Sequence, residues 1–314
     1  MRIRKMDGFP HQIYNDGACG NINELTLWLA GQLPYIEAEL RTHGAVLFRD
    51  FPVKSALDFD AFSATFGYED FTYDESFSNA VRINLTPRVF TANEAPPDRE
   101  IFLHHELAQT PFYPSKIFFC CLSAPESGGE TPLCRSDLLF AEFKRQYPDW
   151  TDLLAELGLR YTIQMPENDN LESGQGRSWR NTLSVNSEAQ AEDKLARLGY
   201  EWRWRKDQTL SATTPVMPAI RALSDGSASF FNQVIAVSRG WQRGTGTPTP
   251  LTFGDGTKID DSILEALIAV SHTFSTALQW QAGDVALVDN FRVMHGRYPY
   301  AGKSPRQIIV NLAR

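Results

Sequence analysis

The apolar runs of this chain are short, and each is bounded by turn or polar residues. Ala45-Val46-Leu47-Phe48, Ile117–Leu122, Asp284–Val288 and Arg306–Leu312 are the clearest. Runs of this length suit strands, and their near-continuous apolar character suits strands covered on both faces. Arg160–Gln164, Tyr200–Arg205 and Ser229–Val237 add further β-like segments. Helical patterns lie around them. Asn23–Gln32 has helical apolar spacing, Pro34 suits the first turn of a following helix, and Gly44 suits its end. Asp58–Phe66 closes at Gly67; Ser136–Arg145, Pro148–Leu157, Ser187–Leu198 (capped by Ser187, ended by Gly199) and Asp260–Ser271 also read as helices. Short strands with peripheral helices point to a mainly β fold, a sandwich or barrel core with helical decoration. No glycine-rich loop follows a strand, which argues against a doubly wound nucleotide fold.

The chain has 314 residues and 42% hydrophobic content, enough to bury a sizeable core in one large or two ordinary domains. Its net charge is −8, and no basic stripe occurs beyond short clusters such as Trp202–Lys206, so nucleic acid is not an expected partner. Four cysteines without a CxxC pair fit buried thiols in a reducing cytosol. The N-terminal MRIRKMDGFPHQ lacks an apolar core, and no segment approaches the ~20 apolar residues of a membrane span. A cytoplasmic location follows as an expectation. Met165–Ser178 and Gln242–Thr257 are long, polar or Gly/Pro-rich stretches that read as lid-like insertions.

One stretch places polar groups where the surroundings are apolar: FLHHELAQ, Phe102–Gln109. On an extended chain His104 and Glu106 share a face and His105 points the other way. Of six histidines, His11 lies near the terminus, and His43 and His272 end helices. His295 follows the strand Asp284–Val288 and the turn signal Asp289-Asn290. Two imidazoles and one carboxylate form a facial set with open positions, the pattern of non-haem Fe(II) oxygenases. A 2-oxo acid chelating there needs a cation for its far carboxylate, and arginine matches that group best. Arg306 lies eleven residues after His295. A hairpin return through Tyr300–Pro305 would bring it beside His295, sharing a strand face with Ile308, Val310 and Leu312. A salt bridge to a core carboxylate is the structural alternative for Arg306. A zinc hydrolase could also use two histidines and a glutamate, although no HExxH helix is present. A metal-free jelly-roll binding module is the third reading.

Several blocks in order extend the pattern: GAVLFRDFPV (44–53), RVFTANEAPPD (88–98), HHELAQ, SGGETP (127–132), GRSW (176–179), GDVALVDNFRVMHGR (283–297) and RQIIVNL (306–312). In these the chain resembles the taurine dioxygenase superfamily of Fe(II)/2-oxoglutarate oxygenases. It looks most like the clavaminate synthase-like and syringomycin-hydroxylase-like branch. The resemblance implies a double-stranded β-helix, or jelly roll, forming one oxygenase domain over residues 1–314. It implies His104, Glu106 and His295 as iron ligands, with Thr131 and Arg306 on 2-oxoglutarate. Fe(II), 2-oxoglutarate and O₂ are then the cofactors, and 2-oxoglutarate leaves as succinate. Val310 stands where taurine dioxygenase should carry its sulfonate-binding arginine, so a taurine-like substrate is unsupported. Related halogenases replace the carboxylate with a small residue, so Glu106 favours hydroxylation; desaturation or cyclisation needs the same ligands. The implied substrate is a small molecule, an amino acid or amino-acid-derived natural product, free or on an aminoacyl carrier protein. Glu94 could bind its amine and Asn232 a polar group. Arg177 and Arg292 are weaker carboxylate anchors, and Trp179, Trp202 and Trp204 read as packing.

Overall fold

The short apolar runs become neighbours in one seven-stranded sheet. In the computed structural model, which describes residues 2–72, 77–78, 80, 82–92, 95–170, 176–240, 249–303 and 305–314, its order is Arg2–Met6, His11–Asp16, Ala45–Arg49, Val285–Asp289, Lys116–Ser123, Gln307–Ala313 and Val89–Thr91. His11–Asp16 runs parallel to Ala45–Arg49; the other pairings are antiparallel. A second, four-stranded antiparallel sheet has the order Ser275–Leu278, Thr131–Arg135, Val293–Arg297, Ile101–His104.

The period of two explains why the central strands are apolar on both sides. Ile117, Phe119, Cys121, Ala286, Val288, Ile308, Val310 and Leu312 pack with Leu133, Leu278 and Val293 of the smaller sheet. The alternate residues Phe118, Cys120, Val285, Leu287 and Ile309 pack outward against Leu25, Leu29, Ile36, Leu40, Phe59 and Phe62. Those belong to helices Ile22–His43 and Ala56–Ala64, which cover the outer face. A third sheet, Glu201–Trp204, Leu210–Thr213, Leu159–Met165 and Leu251–Phe253, carries its own core with Trp179 edge-on to Trp204. The tryptophans are packing residues, as expected.

Two expectations change. Ile22–His43 is one helix that runs through Pro34. A proline inside a helix costs ~3 kcal/mol or more. Buried Leu25, Leu29, Ile36 and Leu40, the Asn21 cap and the left-handed Gly44 (φ 78°) hold the helix together around it. Ser229–Val237 is not a strand. Only Ala228–Ser229 is extended, and Val234–Gly240 forms a helix whose Val234, Ile235, Ala236 and Val237 are all buried. Packing overrides the β preference of those branched side chains. The remaining helices fall close to expectation: Pro148–Leu157 is unchanged, and Ser187 and Asp260 are N-caps.

Of the insertions, residues 171–175 and 241–248 lie outside the described residues. The flanks of the first are tied together by Asn170 N–H to Gly176 O and Trp179 N–H to Pro166 O. Part of the second is a strand, Leu251–Phe253, paired with Leu159–Tyr161.

Candidate active site

Strand Ile101–His104 pairs with Val293–Arg297 so that His104 faces His295. The strand ends there. Glu106 is not on an extended segment with His104, as expected from alternation; it sits in a turn, and Leu107 is left-handed (φ 59°). Asn290 holds that turn. Its side-chain oxygen accepts from Glu106 N–H at 2.8 Å, and its amide donates to Glu106 O at 3.0 Å and Pro114 O at 2.8 Å. The turn swings the carboxylate back toward the imidazoles. Glu106 Oε2 lies 3.3 Å from His295 Nε2 and 3.9 Å from His104 Nε2. One donor atom from each residue falls within 4.8 Å of the others. His105 points elsewhere and donates from Nδ1 to Asn290 O.

Two of the three donors, His104 and Glu106, are prepared for a cation. His104 Nδ1–H donates to Phe102 O at 2.8 Å, which leaves the Nε2 lone pair toward the cluster. Burial, reinforced by His295, lowers the His104 pKa to about 4, so the ring is neutral. Burial, the largest single influence, would raise Glu106; Arg82, His295 and His104 together outweigh it, and the carboxyl sits well below the usual carboxylate range. Arg82 Nη2 donates to Glu106 Oε1 at 2.8 Å, with both side chains buried. Only Oε2 therefore faces the imidazoles. A neutral imidazole at His104 and an ionised carboxylate at Glu106 are states a metal requires, and with His295 beside them the donor set fits iron(II).

The three donors open on a cavity of roughly 480 Å³ that Arg82, Thr131, Arg297, Arg306 and Val310 also line. Arg306 does not arrive by a hairpin beside His295. His295 belongs to the smaller sheet, whereas Arg306 precedes Gln307–Ala313 of the larger one. Tyr300–Ala301 pairs with Ser127–Gly128 as the chain crosses between the sheets. Arg306 thus reaches the cavity from the facing sheet. Its Nε donates to Gly129 O at 2.9 Å and its Nη2 to Thr131 Oγ1 at 3.3 Å. Trp280 Nε1 also donates to Thr131 Oγ1, at 2.9 Å. With both acceptor sites taken, the Thr131 hydroxyl is left as a donor. Among the described residues Arg306 has no carboxylate partner. Burial, then Arg297, lowers its pKa to about 10, so it stays cationic at neutral pH.

The weaker candidates fare differently. Asn232 is buried, donates to Ala219 O at 2.8 Å, accepts from Val234 N–H at 3.0 Å, and does not line the cavity. Arg292 pairs with Asp137 and Asp225. Arg177 bonds to Ser78 O and Asn181 O. Glu94 lies outside the described residues. Arg82 and Asn290 were not anticipated as site residues.

Paired sheets, two imidazoles and one carboxylate converging as metal donors, and an arginine in the same cavity with no carboxylate partner among the described residues point to an iron(II)- and 2-oxoglutarate-dependent oxygenase. The family model "Taurine catabolism dioxygenase TauD, TfdA family" matches residues 15–312, and the chain belongs to that family. It is 36% identical over 285 residues to a clavaminate synthase-like protein of Arabidopsis thaliana, covering 90% of this chain and 85% of that one. It is 25% identical over 283 residues to the dapdiamide synthesis protein DdaC of Enterobacter agglomerans, covering 85% and 82%. Two solved structures share the fold. A taurine dioxygenase from Burkholderia xenovorans aligns with a TM-score of 0.57 at 16% identity, over 99% of this chain and 89% of that one. PvcB of Pseudomonas aeruginosa aligns at 0.55 and 14%, over 100% and 91%. The enzyme is a dioxygenase using iron(II), 2-oxoglutarate and O₂ on a small molecule. The zinc hydrolase and binding-module readings fall away.

Proposed function

We propose that this dioxygenase hydroxylates an unactivated C–H bond of an amino acid or amino-acid-derived compound in secondary metabolism. The substrate is free or carried on an aminoacyl carrier protein, and 2-oxoglutarate is decarboxylated to succinate. His104, Glu106 and His295 hold the iron; Arg306 and Thr131 grip the distal carboxylate of 2-oxoglutarate. One observation carries the reading: a single cavity has three converging metal donors and a part-buried arginine, Arg306, that has no carboxylate partner among the described residues.

Bound iron would supply the activation of O₂. The chain's own residues do the rest. Arg82 occupies Oε1 of Glu106 and so would leave Oε2 to hold iron. The carboxylate also fills the position that a halide would need. Arg306, cationic and desolvated, prefers a carboxylate to its present carbonyl and hydroxyl partners, because a fork-to-carboxylate pair is charge-assisted. Val310 presents an apolar wall where a sulfonate would require a cation. The likeness to a dapdiamide synthesis protein supports the natural-product setting. Glu94 remains the proposed contact for a substrate amine. We further read residues 1–314 as one jelly-roll domain, the insertions as lids, and the location as the reducing cytoplasm. The support is a site drawn from residues 82 to 306 and four buried free cysteines.

The test is substrate-stimulated turnover. Amino acids and aminoacyl carrier proteins are screened with Fe(II), 2-oxoglutarate and air, reading succinate and a product heavier by one oxygen. A hydroxylated amino acid is expected; stimulation by a taurine-like sulfonate alone would overturn the substrate class.

A further inference from the structure

The outer side of the molecule carries a second cluster of metal-binding side chains. Asp7 and His11 flank the turn joining strands Arg2–Met6 and His11–Asp16, and Glu39 and His43 are one turn apart at the end of helix Ile22–His43. One donor atom from each lies within 4.8 Å of the other three. His11 is 1% exposed, and among the described residues its Nδ1 has no hydrogen-bond partner. That atom is 3.5 Å from Asp7 Oδ1 and 3.7 Å from Glu39 Oε2, while His43 Nε2 is 3.2 Å from Glu39 Oε2. The two His11 separations are too long for good hydrogen bonds. They are close to the edge of a tetrahedron around Zn²⁺, about 3.3 Å for metal–ligand bonds of about 2.0–2.1 Å. The other His11 nitrogen, Nε2, lies 2.8 Å from the Tyr35 hydroxyl, the outer contact that orients a ligating imidazole. Tyr35, Glu39 and His43 follow one another at four-residue spacing on one helix face. Lys5, the nearby cation, sits over the Tyr35 ring at 3.3 Å.

We propose that Asp7, His11, Glu39 and His43 form a closed, structural site for a divalent cation of zinc type, separate from the iron centre. Two imidazoles and two carboxylates neutralise such an ion and complete four-coordination without an open position, the mark of a structural site. A cation there satisfies His11 Nδ1, which ordinary ion pairing leaves orphaned in a buried place. It also fastens the N-terminal hairpin to the end of the helix that covers the large sheet.

The experiment uses the full chain carrying His104→Ala and His295→Ala, so that the catalytic cavity no longer contributes metal ligands. After chelator stripping it is titrated with Zn²⁺ against a chromophoric competitor, and thermal unfolding is followed with and without Zn²⁺. One equivalent bound and a Zn²⁺-dependent rise in Tm are expected. Adding His43→Ala or Glu39→Gln, both at partly exposed positions, should weaken Zn²⁺ by more than ~100-fold, since even outer-shell changes cost 10–100-fold. Absence of a bound equivalent, or an affinity in both added variants unchanged from that of the parent chain, overturns the site. If the double variant does not fold, the unaltered chain is used: two equivalents falling to one in His43→Ala supports the proposal, and an unchanged count overturns it.

Discussion

Two clusters of the same residue types occupy opposite settings in this protein. His104, Glu106 and His295 stand between two sheets and open on a cavity; Asp7, His11, Glu39 and His43 clasp a hairpin to a helix end. Separations of 3.2–3.9 Å recur in both. What differs is the number of donors and what lies beside them. Three donors with Arg306 in the same cavity leave room for a chelating dicarboxylate. Four donors would complete the coordination of a zinc-type ion and leave none. On the proposed readings, the same chemistry would serve catalysis where a position stays open and fastening where it does not.

The sharpest way to break the contrast is to remove a donor from the open cluster. His295→Ala or Glu106→Ala should lower succinate formation by more than ~100-fold, a floor set by the cost of mere outer-shell changes. His43→Ala should leave the iron content of purified enzyme unchanged. Next in size, Arg306→Leu should raise the KM for 2-oxoglutarate by about 30-fold or more, because truncating one member of a buried charge pair costs ~2–5 kcal/mol. A steady-state titration reads this; an unchanged KM means the cosubstrate carboxylate lies elsewhere. Arg82→Leu should weaken Fe(II) binding by ~10–100-fold. It should also move the acid limb of activity upward, since Arg82 is the largest influence holding Glu106 ionised. A separate effect concerns stability of the metal-free chain. Burial lowers His104 to about 4 and His105 to about 3 from the ordinary histidine value of 6.5. Between pH 6.5 and those values the unfolded chain binds protons that the native chain refuses, so stability is greatest above pH 6.5 and falls on acidification. Chemical unfolding from pH 7 to 4 should show that slope, and His105→Phe should reduce it.

How much of this the sequence carried varies by residue. His104 and His295 are legible because few other histidines have a strand context. Glu106 is legible as a residue but not in its reason: alternation suggests a strand face, whereas an Asn290-held turn brings the carboxylate round. Arg306 is the expected residue by the wrong route, since a crossing between sheets looks like a hairpin when only spacing is visible. Arg82 and Asn290 contact Glu106 from 24 and 184 residues away, and nothing local marks them. Pro34 misleads because tertiary packing of Leu29, Ile36 and Leu40 outweighs a local rule. His11 and His43 look like an end residue and a helix-end cation until the hairpin meets the helix.

The most direct measurement is an anaerobic titration of the purified enzyme with Fe(II) and then 2-oxoglutarate, followed by visible absorption. The expected result is a weak charge-transfer band that saturates at one equivalent of each. It should be absent in His295→Ala and require far more 2-oxoglutarate in Arg306→Leu. No band in the unaltered chain, or a band indifferent to both substitutions, would contradict iron and 2-oxoglutarate sharing this cavity.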